Sequence, residues 1–201
     1  MRKLPKSFYE RGDVLKIAQD LLGKVLITTF DGLYTSARIV ETEAYAGVMD
    51  KASHAWNGRR TNRTEIMYAT GGTAYVYLCY GIHHLFNVVT NKLDAPHAIL
   101  IRAAEPVEGI ATMLMRTKKK KADFTLTKGP GNVAKALGIF AKHSGLNLLS
   151  DEIYIADDGF KIIKSMIAAT PRIGVDYAGE DAKLLYRFII KNSKYVSGKK
   201  Q

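Results

Sequence analysis

The sequence holds one cysteine, Cys79, so no internal disulfide can form and nothing ties the chain to an oxidising compartment. No run approaches the ~18 consecutive apolar residues of a membrane-spanning helix. The charged opening Met1-Arg2-Lys3-Leu4-Pro5 is followed by no apolar stretch of the signal-peptide kind. A cytoplasmic protein without membrane association is therefore expected. There is no long Pro/Gly/Ser linker and no internal repeat, so a single domain over residues 1–201 is expected. No His-x-Glu stands with a Pro-Cys-x-x-Cys, which argues against a zinc base deaminase. Acidic residues are in deficit, 19 against 30 Lys and Arg, leaving a formal charge of +11. Such an excess favours a polyanionic partner, because each phosphate neutralised by a cation releases condensed counterions.

What is present is an apolar fraction of 47%, enough to build a core without metals or cross-links. Asp13 is a candidate N-cap for a helix whose Val14, Ile17, Ala18 and Leu21 share one face, with Gly23 closing it. Lys24–Phe30 and Tyr34–Tyr45 read as a hairpin around Asp31-Gly32. Thr73–Tyr80 and Phe86–Thr90 read as a second hairpin with Gly81 to His84 at its tip. A buried strand is expected over Ala98–Ala103, and helical spacing begins at Val107 and runs to Met115. Arg116 with Lys118–Lys121 reads as an exposed basic loop. A short helix, Val133–Leu137, follows Gly129-Pro130-Gly131-Asn132 and ends at Gly138. Strand patterns return at Ile153–Ile155, Phe160–Ile163 and Tyr186–Ile190. Strands outnumber helices and pair locally, so the expected class is α+β with an antiparallel sheet.

Two segments carry chemistry. Along Arg38–Tyr45, strand alternation puts Glu41, Glu43 and Tyr45 on one face and Val40, Thr42 and Ala44 on the other. Two carboxylates and a phenol are costly to bury without partners, so the face is either solvated or a built site. A metal would need further ligands, and His54 alone is close in sequence. In the second segment, Tyr77 and Tyr80 are three apart and point to opposite sides of their strand. Tyr80 stands beside Gly81 at the hairpin tip, where a flat rigid ring has the shape of a wedge between base pairs. An ordinary half-exposed strand tyrosine is the competing reading.

Together these segments resemble the alkyladenine (methylpurine, 3-methyladenine) DNA glycosylases. The likeness is carried by Arg38-Ile39-Val40-Glu41-Thr42-Glu43-Ala44-Tyr45, Ser53-His54, Tyr75-Val76-Tyr77-Leu78-Cys79-Tyr80-Gly81, Phe86-Asn87-Val88 and Ile101-Arg102-Ala103-Ala104-Glu105-Pro106. Lys128-Gly129-Pro130-Gly131, Pro171-Arg172-Ile173-Gly174 and Arg187-Phe188 extend it across almost the whole chain. Asn57 and Asn62 depart from the family's pattern, standing where glycine and proline are expected.

The resemblance implies one α+β domain: a curved antiparallel sheet, surrounding helices and a protruding, DNA-inserting β-hairpin. It implies Glu43 as the general base and Arg102 as its supporting residue. Tyr45, His54, Tyr77 and Asn87 would line the base pocket, and Tyr80 would fill the gap left in the duplex. The implied activity is excision of 3-methyladenine and 7-methylguanine from double-stranded DNA, with hypoxanthine and ethenoadenine as further candidates. It would proceed by a monomer without metal or other cofactor and leave an abasic site. A non-catalytic damage-binding protein is the main rival. It would keep Tyr80 and the basic surface but has no use for Glu43 beside Arg102. An RNA-binding protein has only net charge and Tyr75/Tyr77 in its favour.

Overall fold

The computed structural model describes residues 1–198. Eleven residues, Thr35–Tyr45, form the central strand β3, after the short β1 (Arg2–Lys3) and β2 (Val25–Thr28). The remaining strands are β4 (Ala74–Cys79), β5 (His83–Thr90), β6 (His97–Glu108), β7 (Ile153–Asp157), β8 (Ile167–Thr170) and β9 (Arg187–Ile190). All nine join one sheet of order β1-β7-β2-β3-β6-β5-β4, in which every pairing is antiparallel. One edge of β3 is taken along its length by β6. The other edge is divided, β2 pairing with Thr35–Arg38 and β9 with Glu41–Glu43. β8 then pairs with β9. The α+β class with a curved antiparallel sheet stands.

Two irregularities bend the centre of this sheet. Ile39 pairs with Ala104 but Glu41 pairs with Ala103, so Val40 is an extra residue on β3. Immediately after, Thr42 pairs with Ile101, so Arg102 is an extra residue on β6. A β-bulge of this kind disrupts the ladder, increases twist and re-aims side chains. The apolar pattern explains the slip. Ala37 and Ile39, at odd positions, lie in the same core as Ala44, at an even one, and Thr42 Oγ1 donates to Ala18 O beneath that core. Strict alternation cannot bury both sets on one face.

The helices cover that face. In α2 (Val14–Leu21), Asp13 Oδ1 accepts from Lys16 N and Val14, Ile17, Ala18 and Leu21 are buried, as the spacing requires. The four-residue α1 (Lys6–Tyr9) precedes it. In α4 (Pro130–Leu137), Pro130 fills the first turn, where its missing N–H costs nothing. The helix therefore starts three residues before the Val133 that spacing suggested, and Gly138 ends it in the left-handed conformation.

Four further expectations are corrected. β6 runs on to Glu108, so α3 spans Ile110–Thr117 rather than starting at Val107. The break is Gly109, at φ 75°, where an added Cβ would collide with Tyr34 O. Arg116 belongs to this helix and is half-buried, donating to Thr35 Oγ1 and Ala136 O. Phe160–Ile163 is not a strand. Its alternation reflects loop packing, with Arg38 stacked 4.2 Å over the Phe160 ring and Ile162 packed on the main core. The strand lies further on, at Ile167–Thr170. Finally, His83 and His84 belong to β5, and His84 Nδ1 accepts from Ala141 N. The connection between β4 and β5 is therefore only Tyr80-Gly81-Ile82. Tyr80 and Gly81 have φ of 50° and 72°, both left-handed as a type I′ turn requires.

Candidate active site

Glu43 is fully buried near the C-terminal end of β3. Its Oε1 accepts from Ile173 N at 2.8 Å, and its Oε2 accepts from Tyr45 OH at 2.9 Å and Arg102 Nη1 at 3.3 Å. The solvated-face alternative is thereby excluded: these are satisfied, interior groups. Arg102 reaches the carboxylate because the β6 bulge carries it between Glu41 and Thr42. Burial raises the Glu43 pKa above the ordinary carboxylate value, against the opposing pull of Arg102, Ile173 N–H and Tyr45. A carboxylate has about four lone-pair directions, and three are occupied here. The free one is on Oε1.

Beside this carboxylate opens a cavity of about 460 Å³, in the range of small-ligand sites. Tyr45, His54, Tyr77, Asn87, Tyr80 and Arg102 all border it. Glu43 does not border it: the carboxylate sits one layer behind, held by Tyr45, Arg102 and Ile173, which do. The His54 and Tyr77 rings meet edge to face at 4.8 Å, and His54 Nδ1 is 2.8 Å from Tyr75 OH. The Asn87 amide nitrogen donates to Tyr75 O and Leu85 O at 3.1 and 3.4 Å. Its carbonyl oxygen has no protein partner among the described residues and is left to the cavity.

Tyr80 is 90% exposed at the hairpin tip beyond the cavity mouth. The structure thus brings six of the seven residues singled out from the sequence to one cavity and its rim, and places the seventh, Glu43, behind its wall. Among the described residues, no group of three or more His, Cys, Asp or Glu side chains is placed to hold a metal ion.

Several residues of the site were missed. Arg63 lines the cavity with its guanidinium 4.9 Å over the Tyr77 ring, and no sequence signal marked it. Tyr177 lines the mouth, its hydroxyl donating to Ala52 O at 3.0 Å. Arg172 pairs doubly with Asp50 under the Tyr45 ring, which it faces at 4.9 Å. Arg187 was marked in the sequence only within the Arg187-Phe188 motif, although a cation opening an apolar strand pattern is itself a signal. Asn57, where glycine was expected, adopts φ 56°, a left-handed conformation that asparagine tolerates better than most residues.

His54 carries a pH prediction. Burial first, then Arg63 and Arg59, hold its imidazole down to about 4 from the usual 6.5. The ring is neutral in the fold while the unfolded chain takes up a proton below pH 6.5. Its contribution to stability is therefore complete above pH 6.5 and declines as pH falls towards about 4. An NMR titration of the His54 ring is expected to show no ionisation between pH 5 and 8. A midpoint near 6.5 would contradict this environment.

Comparison with known proteins bears directly on this geometry. The model of the methylpurine-DNA glycosylase family matches residues 7–194. A protein of Chlamydia felis is 47% identical over 196 residues, covering 96% of this chain and 100% of the relative. One of Clostridium perfringens is 43% identical over 205 residues, covering 98% and 100%. One of Bacillus cereus is 46% identical over 204 residues, covering 97% and 98%. Each of the three bears the name "Putative 3-methyladenine DNA glycosylase".

Proposed function

The chain belongs to the methylpurine-DNA glycosylase family, and from that premise we propose that it extrudes alkylated purines from duplex DNA and hydrolyses their bond to the sugar with a Glu43-activated water. The observation that carries this reading is a buried, three-fold hydrogen-bonded carboxylate directly behind an aromatic cavity whose rim ends in the exposed Tyr80. The enzyme acts as a cytoplasmic monomer without cofactor, drawn to the phosphate backbone by its net positive charge.

Tyr80 enters the duplex and takes the place of the extruded nucleotide. Extrusion costs a few kcal/mol and costs least at a damaged, weakly paired base. The base lies between Tyr45 on one side and His54 with Tyr77 on the other, displacing the Arg63 guanidinium from the Tyr77 face. A methylated purine such as 3-methyladenine is cationic, so the ring faces attract it by ~0.5–2 kcal/mol, and its charge makes it a good leaving group. The carbonyl oxygen of Asn87 meets the edge of the base and contributes to choosing among purines.

As the glycosidic bond lengthens, the sugar gains oxocarbenium character. Ionised Glu43 stabilises that charge, and the free lone pair of Oε1 receives the proton of the attacking water. Arg102 and the Ile173 N–H keep the carboxylate ionised and aimed. The products are the free base and an abasic site in an uncut strand.

Single-turnover incubation with methylated duplex DNA tests the reading. Free 3-methyladenine is expected to appear while the strand stays intact until alkali is added. Tight binding to the lesion with no base released would make the protein a damage binder instead.

A further inference from the structure

Glu43 has a second carboxylate for a neighbour. Glu41, two residues earlier on the same face of β3, is also fully buried. The two share one guanidinium: Arg102 Nε donates to Glu41 Oε1 at 3.1 Å and Arg102 Nη1 to Glu43 Oε2 at 3.3 Å. Two interior carboxylates on one cation would leave an uncompensated negative charge, which a protein interior does not tolerate without cost. The missing positive charge comes from β9. Arg187, opposite Glu43 in the ladder, donates through Nε to Glu41 Oε1 at 2.6 Å.

The C-terminal segment completes the arrangement. Ser197 N and Oγ donate to Glu41 Oε2 and Oε1 at 2.6 and 2.9 Å. Ser197 O accepts from Arg187 Nη2 at 2.7 Å, and Arg187 Nη1 reaches Thr170 Oγ1 on β8 at 3.1 Å. Arg102 Nη2 touches the same serine hydroxyl at 3.2 Å. Two carboxylates and two guanidiniums thus balance, with Glu41 satisfied mainly by Arg187 and Ser197.

We infer that Arg187 and Ser197 engage Glu41 so that Arg102 stays bonded to Glu43, making Glu41, Arg187 and Ser197 positioning residues for the reaction. None of the three borders the base cavity, so none touches substrate. The inference rests on the reading of Glu43 as general base. Deprived of Arg187, Glu41 draws Arg102 to itself, and Glu43 is left to protonate. Deprived of its charge, Glu41 releases Arg102 to Glu43 alone.

The other groups around Glu43 are Tyr45 on β3, Ile173 N–H and Arg172 from the segment after β8, and Tyr177 beyond. These are unchanged by substitutions at Glu41 and Arg187. Glu41 itself acts to raise the Glu43 pKa and Arg102 to lower it, in keeping with the charges named.

The test is the pH profile of single-turnover 3-methyladenine release, read on its acid limb. Glu41→Gln is expected to move that limb to lower pH, and Arg187→Gln to higher pH, each by about one unit. The double variant, neutral for neutral, should return towards the parent, and Arg187→Lys should stay near it. Loss of packing alone would lower the rate in every variant without moving the limb in opposite directions. An unmoved limb in Glu41→Gln and Arg187→Gln, beside an inactive Glu43→Gln, overturns the inference and leaves the base assignment standing. Persistence of the parent's limb in Glu43→Gln overturns the base assignment itself. Should Arg187→Gln fail to fold, the direction of the shift in Glu41→Gln decides the matter.

Discussion

Glu43→Gln is expected to lower single-turnover release of 3-methyladenine by ~10²–10⁴-fold, or about 3–5 kcal/mol of barrier, while duplexes carrying the lesion still bind. The amide has nearly the size and shape of the carboxylate, so β3 and the Ile173 contact can persist. What it lacks is a basic oxygen at Oε1 and a charge to set against the developing cation. It also replaces one acceptor end by an N–H₂ group. With the amide oxygen kept on Ile173 N–H, the amide nitrogen faces Tyr45 OH and Arg102, both now donors. Tyr45 can rotate its hydroxyl hydrogen and accept instead. Arg102 cannot, since a guanidinium has no acceptor, and it will lean towards Glu41. In the proposed complex the flipped base is held by Tyr45, His54 and Tyr77, which this change leaves in place. Parent-like release by this variant would remove Glu43 from the mechanism.

The outcome for the sheet shows what local pattern carries and what it cannot. The helix at Val14–Leu21 was legible because its cap, Asp13, and its apolar face lie within nine residues of each other. The existence of the β4–β5 hairpin was legible for the same reason, although its return is Tyr80-Gly81-Ile82 rather than Gly81 to His84. The two bulges were not. Val40 and Arg102 become extra residues only when β3 and β6, some sixty positions apart, are laid side by side. Yet those bulges bring Arg102 to both carboxylates and turn the polar face of β3 inward. The alternation of Glu41, Glu43 and Tyr45 was readable, whereas the partners that make their burial affordable come from β6, β9 and the segment that carries Ser197. Periodicity likewise suggested a strand at Phe160–Ile163, whereas the strand lies at Ile167–Thr170. Strand formation there depends on the free edge of β9, which no window of a few residues contains.

Tyr80 puts the DNA-facing half of the reading at risk separately from the chemistry. At 90% exposure its ring contributes almost nothing to the free protein, so Tyr80→Ala should leave the thermal midpoint nearly where it was. Replacing a stacking aromatic costs ~1–3 kcal/mol per base, so binding to a lesion-containing duplex should weaken by about 5–150-fold. Binding to undamaged duplex, which rests on phosphate contacts, should change far less. The backbone sharpens the test. Tyr80 holds a φ of 50°, a left-handed conformation that is uncommon for an aromatic residue and comfortable for glycine. Tyr80→Gly should therefore fold at least as stably as the parent while binding the lesion as poorly as Tyr80→Ala. A strained tyrosine that can be removed with no loss of stability is kept for what it does outside the fold. The checks are a melting curve beside lesion binding, and the fluorescence of 2-aminopurine placed next to the damaged base, which rises when the stack opens. If Tyr80→Gly opens and binds the lesion like the parent, the hairpin is not the wedge. Extrusion would then have to be driven from the cavity side, by Arg63 and Tyr177 at its mouth.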